Sequence, residues 1–296
     1  MTDVIAIVVE AIVLGSIYGL VAIGMTLIYG TLRILDMSQG SMVMIGSFTA
    51  WGVLAVANLD PVLALIGAFV VTFVLGTFTQ LISVQPLMGR RDQIDFEMVT
   101  FITTFAVAIV FANLALQIFG PFQKDVPVLV SGRLEIFHGV SLTYHELLMA
   151  LTSIGLMVAL GVFLARSRWG LAIRAVAQDT DAARLVGVPV GKLYPLTMGL
   201  ASALAGIAGV FLGAKFFASP TAGDLPLLEA LIVVIFGGLG SLRGTLYAAY
   251  AIGLIQAAAE VWFGTTWSLP ILYGVILLVL IFRPYGLKGN PSEARL

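Results

Sequence analysis

RSRWGLAIRAVAQDTDAARLVGVPVGK, residues 166–192, is a long polar and basic stretch in a chain that is otherwise almost continuously apolar. Its flanks, Leu147 to Ala165 and Leu193 to Ala214, are long enough to lie within lipid, so the stretch itself must lie outside it. It carries Arg166, Arg168, Arg174, Arg184 and Lys192, a third of the fifteen cationic side chains. Which side of a membrane this segment occupies fixes the orientation of everything else.

Composition sets the class. With 60% hydrophobic residues, 10% charged and a mean hydropathy of +1.07, too little polar surface exists for a water-soluble fold, and a multispan membrane protein is expected. The absence of cysteine excludes disulfides and thiolate metal sites, and His138 and His145 share one polar loop, which argues against imidazole zinc or triad chemistry. A net charge of -1 speaks against a nucleic-acid partner. The first residues lack a cationic n-region, and the apolar run after Glu10 exceeds a signal peptide's core, so it reads as a retained span.

Charge-free intervals mark the helices. Ala11 to Leu32 holds 22 uncharged residues, about 33 Å of helix at ~1.5 Å per residue. Further spans read as Met42 to Ala57, Val62 to Met88, Met98 to Phe119, 147–165, 193–214, Gly244 to Ala259 and Ser268 to Phe282. Ala230 to Leu242 is only 13 residues and contains Gly237-Gly238-Leu239-Gly240, so it reads as a broken half-helix or a short crossing. Between Gly120 and Glu146 the short alternating pieces PVLVSG and RLEIFHGVSLTY predict small strands or a hairpin at the membrane surface. The expected fold is an all-α polytopic membrane domain over 1–296 with about 8–9 spans, broken or re-entrant segments, and one small loop, 120–146, outside the lipid. Nine crossings with the N-terminus outside place twelve cations in the cytoplasm, among them Arg33, Arg90, Arg91, the five of 166–192, Arg243, Arg283, Lys288 and Arg295. Only Lys124, Arg133 and Lys215 fall outside, and this asymmetry favours a cytoplasmic C-terminus.

Within 166–192, Gly170 precedes and Gly187 and Pro189 follow a helical segment. At 100° per residue it gathers Ala172, Ala175, Ala182 and Ala183 on one side and Arg174, Asp181 and Arg184 on the other. Such an Ala face admits a partner's backbone closely; a solvated connector carrying topogenic charge fits the same pattern.

Asp181-Ala182-Ala183-x-x-x-Gly187 resembles the EAA loop by which ABC-importer permeases dock on ATPase subunits, with Asp where Glu is usual and without the downstream Ile-x-Leu-Pro. Four further pieces resemble the branched-chain amino acid permeases of the LivH type. They are GLVAIGMTLIYGTLRILDMSQGSMVMIGSF (19–48), RSRWGLAIRAVAQDTDAARLVGV (166–188), GGLGSLRGTLYAAYAIGLIQ (237–256) and IFRPYGLKG (281–289). The family's Asn-Phe-Ala-His-Gly stands here as Asp36-Met37-Ser38-Gln39-Gly40. The resemblance implies an importer of several parts: this permease, a second related permease, two ATP-binding subunits and an extracytoplasmic solute-binding protein. ATP and Mg would be held by the partner subunits, with no cofactor in this chain. It implies a multi-pass inner-membrane protein, not an enzyme, with Gly170, Arg174, Ala175, Asp181, Ala182, Ala183 and Gly187 in the coupling loop 166–192.

Polar groups at membrane depth are costly unless they face protein or a water-filled path. On that ground Asp36, Ser38, Gln39, Gly40, Glu229, Gly237 and Gly238 are candidate path residues, with a half-helix opening near Asp36 able to meet a carboxylate and helix capping as the bland alternative. Gly237-Gly238-Leu239-Gly240-Ser241 lacks the Lys-Ser/Thr of a phosphate loop and reads as close packing or a helix break. Gly15-x-x-x-Gly19 and Gly209-x-x-x-Gly213 read as helix packing. Gln80, Asn113, Gln117 and Gln256 are expected in interhelical hydrogen bonds. The expected mechanism is alternating access, with branched-chain or other aliphatic amino acids as solute. An ion-coupled carrier of a small solute is the rival, using Glu10, Glu229 and Glu260, all near span ends; an intramembrane enzyme lacks converging His, Cys or paired acids.

Overall fold

The computed structural model describes residues 2–88, 93–137, 140–283 and 286–287, so Arg90, Arg91, Asp92, His138, Lys288 and Arg295 lie outside the described residues. Eleven helices and one hairpin follow in order: α1 (Thr2–Leu32), α2 (Gln39–Trp51), α3 (Pro61–Thr79), α4 (Gln93–Phe119), β1 (Arg133–Phe137), β2 (Val140–Thr143), α5 (Tyr144–Arg166), α6 (Arg168–Gln178), α7 (Thr180–Leu185), α8 (Val190–Lys215), α9 (Asp224–Gly237), α10 (Leu242–Phe263) and α11 (Thr265–Phe282). Short π turns extend α2 to Val56 and α3 to Val84. Among the described residues seven helices are long and apolar enough to cross a membrane, and α9, at 14 residues, is shorter. The expected polytopic all-α architecture is therefore present.

α8 is the axis. In α8, 89% of the most apolar window is buried, against 17% in α4, which decides that α8 is core and α4 periphery. Small residues let the neighbours reach it, since helix association in lipid rests on close packing rather than on a hydrophobic drive. A Cβ on Gly46 would collide with the Gly206 backbone, one on Gly209 with Val43, and one on Gly24 with Ala201, which draws α2 and α1 onto α8. Gly15 does the same for α1 against Tyr250 of α10, and Gly19 sits against Met157 of α5 and Ala249 of α10, the helix packing that the spacing predicts. The outer ring shows its apolar side chains: Val62, Ile66, Val70, Val74 and Phe78 form an exposed stripe on α3, and Leu151, Val158 and Val162 are exposed on α5. At helical spacing this is the face a bilayer covers.

Two interruptions reach the middle of the bundle. After α1, residues 33–38 turn back through the interior, with Arg33 at φ +57°, so that α2 starts at Gln39 beside Ser202, the midpoint of α8. From the other end, residues 216–223 lead down until Gly223 touches Gly40, and α9 starts there. α9 ends at Gly237, packed on Gly244, and Gly238 leaves it at φ +98°. The short Gly-rich segment is thus both tightly packed and a helix break.

Boundaries differ from the sequence reading most at α1 and within 166–192. α1 begins at Thr2 rather than Ala11, because Glu10, partly exposed and paired with Lys215, does not end the helix. The hairpin forms as expected, antiparallel, with an irregularity between Glu135 and Phe137. The single helix expected within 166–192 is two. Asp179 closes α6 in extended geometry, and its carboxylate accepts from the N–H groups of Asp181 and Ala182 to open α7.

Candidate functional site

Tyr18 stands at the middle of the Val4–Leu32 span. Its phenol oxygen is 3.0 Å from Glu229 Oε1 and 3.0 Å from Gln256 Oε1, joining α1, α9 and α10. A phenol has one hydrogen, and the carboxylate is the stronger acceptor. This trio forms the floor of a cavity of about 610 Å³. One helical turn beyond Gln256 lies Glu260, and two turns beyond Tyr18 lies Glu10, both lining the same space. At its rim Lys215 donates to Glu146 Oε1 at 3.1 Å and to Glu10 Oε1 at 3.4 Å, tying the ends of α8, α5 and α1 together. The walls between are apolar: Leu14, Ile17, Leu212, Leu225 and Leu269. Glu10, Glu229 and Glu260, which the sequence places near span ends, all line this one cavity. Gln256 makes the interhelical hydrogen bond expected of it, to Tyr18, and lines the cavity too. No group of three metal-ligating side chains occurs among the described residues.

The cavity lies at the hairpin end. β2 runs into α5 through a capping box in which Thr143 and Glu146 serve each other's backbone N–H, and Glu146 also holds Lys215. Lys124 pairs with Ala218 as an isolated bridge, so the loop before the hairpin is laced to the segment that descends to α9.

Asp36, Ser38, Gln39 and Gly40 occupy a separate place. Asp36 is 1% exposed; its Oδ1 accepts from Ser38 N at 2.9 Å and Ser38 Oγ at 2.7 Å, and its Oδ2 accepts from Gln39 Nε2 at 2.9 Å. The carboxylate closes the turn that starts α2, although Ser38 is the residue at the cap position. Removing it strands the Ser38 N–H and hydroxyl and leaves Gln39 Nε2 with Ser202 alone. Asp36→Ala is expected to destabilise the chain by about 2–4 kcal/mol, read as a lower thermal midpoint of the detergent-solubilised protein, with Asp36→Asn costing less. Gly40 lines a second cavity of about 400 Å³ with Ser41, Asn113 and Asp224. Gly237 and Gly238 lie at the far end of α9, beside Gly244 and away from both cavities.

The α6–α7 pair stands at that far end. Gly170, Ile173 and Val176 of α6 are buried, and Gly170 has no room for a side chain over Phe163 and Leu164. Ala172 and Ala175 pack on the chain's own core, and Ala183 is buried, so most of the Ala face is used internally. What faces outward is Arg174, Asp181, Ala182, Arg184 and Gly187 together with Leu185 and Val186, which are 89% and 79% exposed. Asp181 and Arg184 pair at 3.5 Å. Gly187 turns the chain at φ +84°.

Residues 7–281 match the family described as branched-chain amino acid transport system, permease component. The chain belongs to that family. Among the relatives of this permease, the high-affinity branched-chain amino acid transport system permease protein BraD of Pseudomonas aeruginosa is 30% identical, over 96% of this chain and 95% of its own length. LivH of Escherichia coli strain K12, of the same description, is 26% identical over 96% and 94%. The probable branched-chain amino acid transport permease protein LivH of Methanocaldococcus jannaschii is 27% identical over 94% and 90%. The permease resemblance carried by 19–48, 166–188 and 237–256 therefore extends through nearly the whole polypeptide, and the protein is a multi-pass membrane permease.

Tyr18, Glu10, Lys215, Gln256 and Glu260 are among the cavity residues outside the candidate path. Tyr18 and Gln256 are 238 positions apart, beyond any local pattern. The legible signal was polar side chains inside apolar runs.

Proposed function

We propose that this chain is a permease subunit of an ABC importer that moves branched-chain or other aliphatic amino acids across the inner membrane by ATP-driven alternating access. The observation that carries the reading is the family match over residues 7–281 together with the α6–α7 tip, whose Leu185 and Val186 are exposed outside the apolar spans. The names of the relatives supply the solute class. The excess of cations at the α6–α7 end favours a cytoplasmic location for that end, with the N-terminus and the hairpin outside. There Leu185, Val186 and Gly187 offer an apolar knob, rimmed by Asp181, Arg184 and Arg174, to a nucleotide-binding subunit, while the hairpin end receives a solute-binding protein. A second, related permease completes the pore, and ATP and Mg belong to the two ATP-binding subunits.

The test is reconstitution. Purified with its partner permease and ATP-binding subunits, the chain is expected to hydrolyse ATP faster when a leucine-loaded binding protein is added, and to accumulate leucine in proteoliposomes. Leucine uptake by this chain alone, driven by a proton or sodium gradient, would instead make it the ion-coupled carrier.

A further inference from the structure

The cavity of about 610 Å³ at the hairpin end combines three features that one ligand class matches. Its floor holds Glu229, only 8% exposed at mid-membrane depth, with Tyr18 as its hydrogen-bonding neighbour and no cationic partner among the described residues. Glu260 continues the carboxylates toward the rim, where Lys215 supplies the cavity's one amine. Between them lie aliphatic walls, Leu14, Ile17, Leu225 and Leu269. A buried carboxylate without a cation is costly, and a cation brought by a ligand relieves that cost while its apolar body covers the walls.

We propose that this cavity is a binding subsite for a zwitterionic aliphatic α-amino acid. Its ammonium faces Glu229 and Glu260, its carboxylate turns to Lys215, and its side chain lies on the Leu14–Ile17–Leu225–Leu269 wall. The subsite lies within this single chain, so selectivity is exercised by the permease as well as by whatever protein delivers the solute. Lys215 already shares two carboxylates at 3.1 and 3.4 Å, and the longer contact, to Glu10, is the one a ligand carboxylate replaces. The subsite rests on the importer reading for its solute class, and its test separates the two.

The full assembly in nanodiscs, without nucleotide or binding protein, is titrated with labelled L-leucine. Two competitors are used: 3-methylbutylamine, which lacks the carboxylate, and 4-methylpentanoate, which lacks the ammonium. Leucine is expected to bind, the amine to compete and the acid not to compete. Glu229→Gln and Glu260→Gln should each weaken leucine and the amine by at least about tenfold, the scale of one charge-assisted hydrogen bond. Lys215→Gln should weaken leucine alone, the retained amine binding showing that the cavity is still formed. Tyr18→Phe should weaken both ligands less than Glu229→Gln. Competition by the acid equal to leucine's, unchanged affinity in both Glu variants, or no leucine binding by the wild-type assembly would overturn the subsite. ATP-driven leucine uptake from loaded binding protein then discriminates: if it persists, the importer reading stands without this site, and if it is absent, both fall.

Discussion

Gly46→Val is expected to leave almost no folded permease. A Cβ at residue 46 would lie on the backbone of Gly206, in the middle of the α2–α8 contact. Neither helix can retreat. Gly206 is pressed from its other side by Thr72 of α3, and Gly209 one turn on is pressed by Val43 of α2. Overpacking a tight site costs about 1–3 kcal/mol where neighbours can shift; here the obstructing atoms are backbone, so the cost lies at or above the top of that range. The contact also matters more than it would in water, because little but packing holds helices together in lipid. The measurement is the monodisperse fraction and thermal midpoint after detergent extraction. Gly155→Ala in α5, where an added Cβ meets nothing within 4 Å, provides the control and is expected to match wild type. A Gly46→Val protein as stable as that control would mean that α2 and α8 do not meet this way.

Most of the helical framework was legible because lipid imposes a blunt rule: a span is an apolar run of sufficient length. The rule fails where a helix carries a paired charge. Glu10 reads as a boundary, yet it sits within α1, partly exposed at the cavity rim and met there by Lys215 of α8. It failed again at Asp179, where a polar residue inside a helical pattern turned out to cap two helices rather than decorate one. The half-helices were visible as glycine clusters and short runs, but their meeting was not: Gly40 and Gly223 are far apart in sequence and touch only because both interruptions reach the same depth. The cavity was the least legible feature. Glu229 was singled out as an intramembrane acid, but its partners come from α1 and α10, and no periodicity links residue 18 to 229 or 256. Glu10, Glu229 and Glu260 group in the sequence only as acids near span ends; that Tyr18, Gln256 and Lys215 meet them in one cavity is set by the packing of α1, α8, α9 and α10.

The second large effect concerns coupling. Leu185→Asp combined with Val186→Asp is expected to abolish uptake while the permease still inserts and folds. The two side chains are 89% and 79% exposed, so the substitution removes little packing within the chain, and surface changes of this kind usually alter stability by less than about 0.5 kcal/mol. At an interface the same change is severe. Two apolar anchors become two charges that must be desolvated against the ATP-binding subunit, and losing a central anchor costs about 2 kcal/mol or more, roughly thirtyfold in affinity. Leucine uptake should therefore fall at least tenfold, with ATP hydrolysis persisting but no longer rising on addition of loaded binding protein. Gly187→Val should act in the same direction by a different cause, since φ +84° is strained for a β-branched residue and the turn leading into α8 would shift. Asp181→Arg, which replaces the Asp181–Arg184 attraction with repulsion, tests the rim of the knob. Normal uptake in all three proteins would remove α7 from the docking surface; loss of the double variant from the membrane would instead make Leu185 and Val186 structural.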